Sequence, residues 1–373
     1  MSVRRPAHRF IVFAAWLVAA AIAAGASPNT RGGAPPGAQI SSAVLDDVEA
    51  SFAALSSRGK SLTAVMSGLI PRPAYRATAS NGFGVANHFQ GIQRVGNYIV
   101  ISGADAHAPA ADLFVARLES DTTAALVGAF TLEDAAWHAG GIAVEGTTLA
   151  VPFYGAGGED RQSRVRFYDL SDPTVPVQLP VAIERPARKA IAVALTRLRN
   201  SHWLVAVLSG RDGLPRRLDL YLSRSTDLTT GFGDPLGWQT AFVSARNGQA
   251  PSFSHFQNIN FLRQGDGRLY LIGFHNTFVN VAALPGRDYA DLYEVVLPES
   301  LSRDESPMLG YPRVVKVANK RLTCGAGCSF DAAAGAHVDP VMRALSIYAT
   351  PGWIGGDTLR LTRYTEAIAG SKK

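Results

Sequence analysis

Apolar and polar positions alternate through much of this chain, in short runs broken by glycine turns. Gly91-Ile92-Gln93-Arg94-Val95 meets Gly96-Asn97 and resumes as Tyr98-Ile99-Val100-Ile101-Ser102-Gly103. Gly141-Ile142-Ala143-Val144 meets Glu145-Gly146 and resumes at Thr147-Thr148-Leu149-Ala150-Val151. Asn258-Ile259-Asn260-Phe261-Leu262-Arg263 meets Gly265-Asp266-Gly267, then Arg268-Leu269-Tyr270-Leu271-Ile272. A period of two bounded by turn residues predicts strand, tight turn, strand. The openings themselves recur: His88-Phe89-Gln90-Gly91-Ile92 returns as His255-Phe256-Gln257-Asn258-Ile259, and more weakly as His138-Ala139-Gly140-Gly141-Ile142. Self-similarity at a spacing of about fifty residues marks a repeat architecture.

Five units follow from these openings. The first covers 88–134, with third and fourth strands at 112–118 and 124–132. The second runs from His138 to Ile183. The third opens near Lys189, where the His-containing opening is lost, and a long connection, 225–254, follows it. The fourth starts at His255, and the fifth near Phe330, ending on the strand Thr358–Tyr364. That last strand lacks a following partner. The segment 61–69 is expected to supply one and so remove exposed edges. The fold class expected is all-β, a ring of four-stranded sheets with a short N-terminal helix. Through these openings the chain resembles β-propeller proteins as a class, over about residues 60–365. The resemblance implies five blades, with six as the rival if 225–254 or 300–325 forms another. Strictosidine-synthase-like and paraoxonase-like propellers have similar His-and-Gly openings, and some hydrolyse esters or lactones around a central metal. Five-bladed glycosidases are a further comparison. The likeness is one of fold and carries no residue roles. A β-sandwich or jelly roll would suit the alternation but not the recurring openings.

Outside the ring, residues 1–26 are expected to be a cleaved signal peptide. Arg4, Arg5 and Arg9 precede the apolar run Phe10–Ala24, and small residues follow at Gly25 and Ala26. Residues 27–40 are expected to be a flexible leader, and 41–59 an amphipathic helix, because Val44, Leu45, Val48, Phe52 and Leu55 recur at helical spacing. A single propeller domain then spans 60–366, with a disordered tail at 367–373. Secretion or a periplasmic location follows from the leader, with no membrane association after cleavage. Net charge is +6 without a basic run, which argues against a nucleic-acid partner. Cys324 and Cys328 are the two cysteines, and an oxidising compartment favours a disulfide between them. A monomer is expected.

Candidate chemistry follows from geometry. In a blade the first strand lines the axis and the second runs back beside it, so first-strand starts and second-strand ends share one face. That rule gathers Gln90, His107, Tyr154, Lys189, Arg211, Gln257, His275, Asn276, Asp331 and Trp353 as substrate-binding candidates, and His88, His138, His255 and Asp105 as catalytic candidates. Histidine has the intrinsic pKa for proton transfer. The three histidines at the openings are also the candidates for a divalent metal, the one cofactor considered. The competing reading is that these groups bond neighbouring units and seal the centre. His202 and His337 fall toward the opposite face and read as structural. The function expected is hydrolysis of a small polar or carbohydrate-like substrate. The alternative is a non-catalytic module binding glycan or protein.

Overall fold

The computed structural model describes residues 43–66, 88–105, 110–133, 138–155, 162–186, 188–209, 217–239, 242–277, 287–298, 312–324, 328–352 and 357–367. The side chains of residues 104, 105 and 239 lie outside that description. All these residues belong to a compact unit spanning Gln39–Lys373. Among them one α-helix, α1 (Val48–Ala54), precedes an all-β, propeller-like body.

The strands are β1 (Lys60–Val65); β2 (His88–Val95), β3 (Tyr98–Asp105), β4 (Ala110–Leu118) and β5 (Thr123–Glu133); β6 (His138–Ala139), β7 (Ala143–Glu145), β8 (Thr148–Tyr154), β9 (Ser163–Asp169) and β10 (Val177–Arg185); β11 (Ala192–Arg197), β12 (Trp203–Ser209), β13 (Arg217–Leu222), β14 (Leu236–Gln239) and β15 (Ser244–Ala245); β16 (Asn258–Arg263), β17 (Leu269–Thr277), β18 (Arg287–Val296) and β19 (Arg313–Leu322); and β20 (Ala333–Val338), β21 (Leu345–Thr350) and β22 (Thr358–Thr365). They form three hydrogen-bonded sheets of 13, 4 and 5 strands, within which five units pair antiparallel in sequence order: β2–β5, β6–β10, β11–β14, β16–β19, and β20–β22 with β1; β15 adds to the fourth by a short parallel pairing with β19. β6 and β7 together form the interrupted first strand of the second unit. In the fifth unit the last strand is β1, which pairs antiparallel with β22 through Leu62↔Leu361 and Ala64↔Leu359 and, on its other side, parallel with β5 of the first unit. The chain's beginning therefore completes its end. The described parts of 225–254 and 300–325 supply outer strands: β14 pairs with β13, and β19 pairs with β18.

Burial explains the sequence pattern strand by strand. β12 and β21 are buried along their whole length, and both read as nearly continuous apolar runs. β10 is an outer strand, and only part of it alternates buried and exposed positions. The apolar faces do not meet in one central core. They pack between neighbouring units: Val100 and Leu113 against Val151 and Phe153, Phe167 and Val181 against Val205 and Val207, Leu204 and Trp238 against Leu271 and Tyr293, Ile272 and Phe274 against Ile347 and Tyr364, and Leu359 and Tyr348 against Ile101 and Phe114. Each unit shares a core with the next, and the fifth shares one with the first.

At the axis the first strands touch in the same cyclic order, β2, β7, β11, β16, β20 and back to β2. Contact there is backbone to backbone. A Cβ at Gly140 would run into the carbonyl oxygen of Ile191, and one at Gly335 into that of Ile92. Cross-unit bonds stitch the seam: Gly141 N to Ile191 O at 2.9 Å, Asn258 Nδ2 to the Gln90 carbonyl at 2.8 Å, and Ala336 N to Asn260 Oδ1 at 2.9 Å.

The helix is shorter than the apolar spacing predicts. Asp47 caps it, accepting from Ala50 N at 2.9 Å, and Val48 and Phe52 are buried. Leu55 then turns extended and bridges to Glu366, so β pairing ends the helix before Gly59. The helix packs on the outside of the fourth unit, where Tyr270 donates to Glu49 at 3.1 Å. Among the described residues no helix is long and apolar enough to cross a membrane.

Candidate active site

The face where first strands begin gathers two polar clusters. The first lies where units one, two and three meet. His138 opens β6 and is only 4% exposed, and Tyr154 closes β8 directly opposite it. Their rings stack at 4.2 Å, and Tyr154 OH lies 3.1 Å from His138 Nε2. His88 meets the His138 ring edge-on at 5.2 Å. Lys189 Nζ sits 4.4 Å above the Tyr154 ring. Burial, then the neighbouring His88 and Lys189, hold the His138 imidazole well below its ordinary value of 6.5. Its ring is therefore uncharged at neutral pH. In the tautomer that leaves Nε2 bare, the Tyr154 phenol donates to it.

The second cluster lies between units four and five. Gln257 Nε2 donates to Asp331 Oδ1 at 3.3 Å. Asn276 Nδ2 donates to Asp288 Oδ1 at 2.9 Å, and the Phe330 amide donates to the same oxygen at 2.8 Å. Burial pushes the Asp288 carboxyl up and Asp331 adds to that, against the lowering bonds from Phe330 and Asn276. His275 stacks on Tyr289 at 5.5 Å, with its Nε2 3.5 Å from Asp291 Oδ2. Asp291 is fully buried and accepts from Lys316 at 3.0 Å, Tyr293 at 3.1 Å and Ser254 at 3.2 Å. Burial would raise its pKa, but His275, Asn319 and Lys316 together outweigh burial and hold it low. The two clusters adjoin through the axis, because Gly141, three residues past His138, packs against the Gln257 carbonyl.

The predicted residues thus divide. His88, His138, Tyr154 and Lys189 come together, as do Gln257, His275, Asn276 and Asp331. Gln90 is buried, with its carbonyl bonded to Asn258. His255 is exposed and precedes β16, so it does not repeat the place of His88 on β2. The physical reason is pairing: β16 meets β17 only from Asn258↔Phe274, while His88 already pairs with Ala104. Asp105 ends β3, but its side chain lies outside the described residues, as do His107, Arg211 and Trp353. Among the described residues no three His, Cys, Asp or Glu side chains converge to hold a metal, so His88, His138 and His255 form no such set. Cys324 and Cys328 are joined in a disulfide. Asp288 lies outside the expected set because it belongs to a third strand, not to a first or second. Third strands also start on this face, and Asp288, the second residue of β18, pairs with Asn276.

The opposite mouth holds a cavity of about 350 Å³ to which all five first strands contribute, including Arg94, Glu145, Thr196, Arg263 and His337. Its two arginines already have partners. Arg263 lies 3.5 Å from Glu145, and Arg94 donates to Tyr348 OH at 3.1 Å. Burial and Arg94 take His337 down to about 4, and backbone amides hold Asp339 below its ordinary value. Both of these shifts carry the group away from neutrality.

Comparison with protein-family models and with characterised protein sequences finds no match. Among solved structures the chain is similar to an alpha-L-arabinanase from Penicillium chrysogenum, at 8% identity and a TM-score of 0.42, over 75% of this chain and 93% of that one. It is also similar to an endo-arabinase from Bacteroides thetaiotaomicron, at 10% identity and a TM-score of 0.47, over 77% and 96%. The allergen Mala s 1 of Malassezia sympodialis is another, at 11% identity and a TM-score of 0.36, over 77% and 82%. At this distance no chemistry transfers, and the propeller-like description rests on the strand pairing itself.

Proposed function

We propose that the chain is an exported, monomeric, five-bladed propeller that hydrolyses a small polar, carbohydrate-like substrate on the His138 face. The observation that carries this reading is a proton donor and a proton acceptor on one face. Asp288 keeps its proton to higher pH than an ordinary carboxyl, and His138 stays bare to lower pH than an ordinary imidazole. Environments that tune two groups in this way suit general acid–base work. Asp288 would protonate the leaving oxygen. His138, through the Tyr154 hydroxyl, would take the proton from an attacking water. Lys189 would offset developing negative charge, and Gln257, Asn276 and Asp331 would hold substrate hydroxyls. The cyclic sharing of five inter-unit cores supports the blade number. The leader composition and the disulfide support export.

The test is a panel of nitrophenyl glycosides and esters. Asp288→Asn and His138→Gln should each lower kcat/KM about 100-fold or more, with the folded circular-dichroism spectrum kept. The rate should rise as His138 loses its proton, below pH 6.5, and fall as Asp288 loses its own, above pH 3.8. No turnover across the panel would sink the hydrolase. One observation favours a glycan-binding module instead: His138 is already bonded to Tyr154 and almost closed to solvent. Under that reading sugars bind without turnover, and Tyr154→Ala abolishes binding.

A further inference from the structure

We infer that the seam between the second and third units holds an oxyanion-binding site, independent of the hydrolytic reading. A cavity of about 390 Å³ there is lined by Arg185, Arg188, Arg217, Asp219, Tyr221 and Phe232, among others. Its centre is a single carboxylate, Asp219, whose side chain is 1% exposed. Arg185, itself 2% exposed, donates to Oδ2 at 2.7 Å. Ser209 donates to the same oxygen at 3.3 Å, and Arg217 Nε donates to Oδ1. Arg188 comes third, with Nη1 3.7 Å from Oδ1, beyond hydrogen-bond reach. Three guanidinium groups therefore face one carboxylate, and two positive charges are left over.

The surplus has a direction. Arg185 is spent inward on Asp219, Ser209 and Tyr221. Arg188 and Arg217 are 45% and 33% exposed. Neither the guanidinium of Arg188 nor the terminal nitrogens of Arg217 hydrogen-bond another described residue. Arg217 is also closely packed, because its guanidinium lies against Gly237 where any Cβ would overlap it. The two other acids on the wall, Glu184 and Asp234, equal that surplus in number, but neither is bonded to Arg188 or Arg217. Glu184 is 64% exposed and reaches toward Arg166 at 3.9 Å. Asp234 is exposed, and among the described residues it pairs with none of these arginines. A carboxylate or phosphate oxygen pair entering between Arg188 and Arg217 would complete the arrangement that Asp219 begins from inside. Buried Phe232 adds an apolar wall, which suits an anion carried on an organic body such as an acidic sugar.

Calorimetric titration of the full chain at low ionic strength tests this with three probes: glucuronate, inorganic phosphate and glucose. At least one anion should bind one-to-one while glucose does not. Arg188→Gln, a change at a half-exposed side chain, should weaken that anion about tenfold or more. Glucuronate alone binding identifies an organic acid, and phosphate alone identifies a phosphoryl group; either supports the site. Failure of both anions, glucose binding as tightly as glucuronate, or unchanged affinity in the Arg188→Gln protein overturns it. Neither anion is a hydrolysable substrate, so a silent panel of nitrophenyl substrates leaves the result standing.

Discussion

The two mouths of the ring are built from the same strands and end in opposite chemistry. Where first strands end, the mouth is roomy and electrically quiet: Glu145 meets Arg263, and His337 has surrendered its proton. Where they begin, the polar groups meet in bonds within units, Tyr154 with His138 and Asn276 with Asp288, and across them, Phe330 with Asp288, and burial moves His138 and Asp288 in opposite directions. A cavity alone is a poor guide to a site, because a void whose polar groups already have partners has little to exchange with a substrate. Tuned proton affinities are the stronger sign, and here they lie at the mouth without the larger described void.

The largest expected effect comes from the axis that both mouths share. Gly335→Val would drive side-chain atoms into the Ile92 carbonyl, and backbone of the first strands would have to separate. Overpacking in a well-packed site costs typically 1–3 kcal/mol, and here the neighbour is backbone, so a loss of about 3 kcal/mol or more is expected. Thermal unfolding checks it. Both faces should fail together, and a variant that unfolds normally would mean the axis is looser than described.

Next comes the contrast itself. His138→Gln should cost about 100-fold in turnover, and His337→Gln should leave turnover unchanged. Equal losses would erase the distinction between the mouths, and measured kcat/KM for the two proteins decides it.

Much of this contrast was legible in the residues, for reasons that also mark where reading stopped. Openings such as His88-Phe89-Gln90 and His138-Ala139-Gly140 locate first strands because alternation is a local signal, and a lone strand at 358–364 demanded a partner that β1 supplies. The likeness of His255 to His88 was misleading, because exposure depends on where strand pairing starts, and Phe274 fixes that from another strand. Asp288 was missed because its bonds come from Asn276 and Phe330, 12 and 42 residues away. The quiet mouth needed the Glu145–Arg263 pairing, a match across units that no period encodes.

Acid stability separates the mouths more gently. The folded value of His337 is about 4, below its ordinary 6.5. The unfolded chain therefore binds the extra proton across that window, and stability contributed by the neutral ring is lost as pH falls from about 6.5 toward 4. The contribution is at most about 3 kcal/mol. Denaturant midpoints measured across that range should fall less steeply in the His337→Gln protein than in the parent. Parallel curves would mean that the half-buried ring is reached by water.

The smallest effect on stability should come from the disulfide, and it is expected to touch one mouth only. Cys324 and Cys328 are four residues apart, so the bond restrains little of the unfolded chain, roughly 2 kcal/mol at most. Its position matters more than its energy. Cys328 is buried beside Tyr364, and two residues on, the Phe330 amide donates to Asp288. Reducing the bond, or replacing both cysteines with alanine, should let this segment drift and weaken that donated bond. Because the bond lowers the Asp288 pKa, its loss should carry the alkaline limb of the rate profile to higher pH while the melting midpoint moves only slightly. The pH dependence of denaturation assigned to His337 should stay where it was. A shift in that second profile instead would show that the two mouths are mechanically coupled through the fifth unit, and the separation between them would have to be given up.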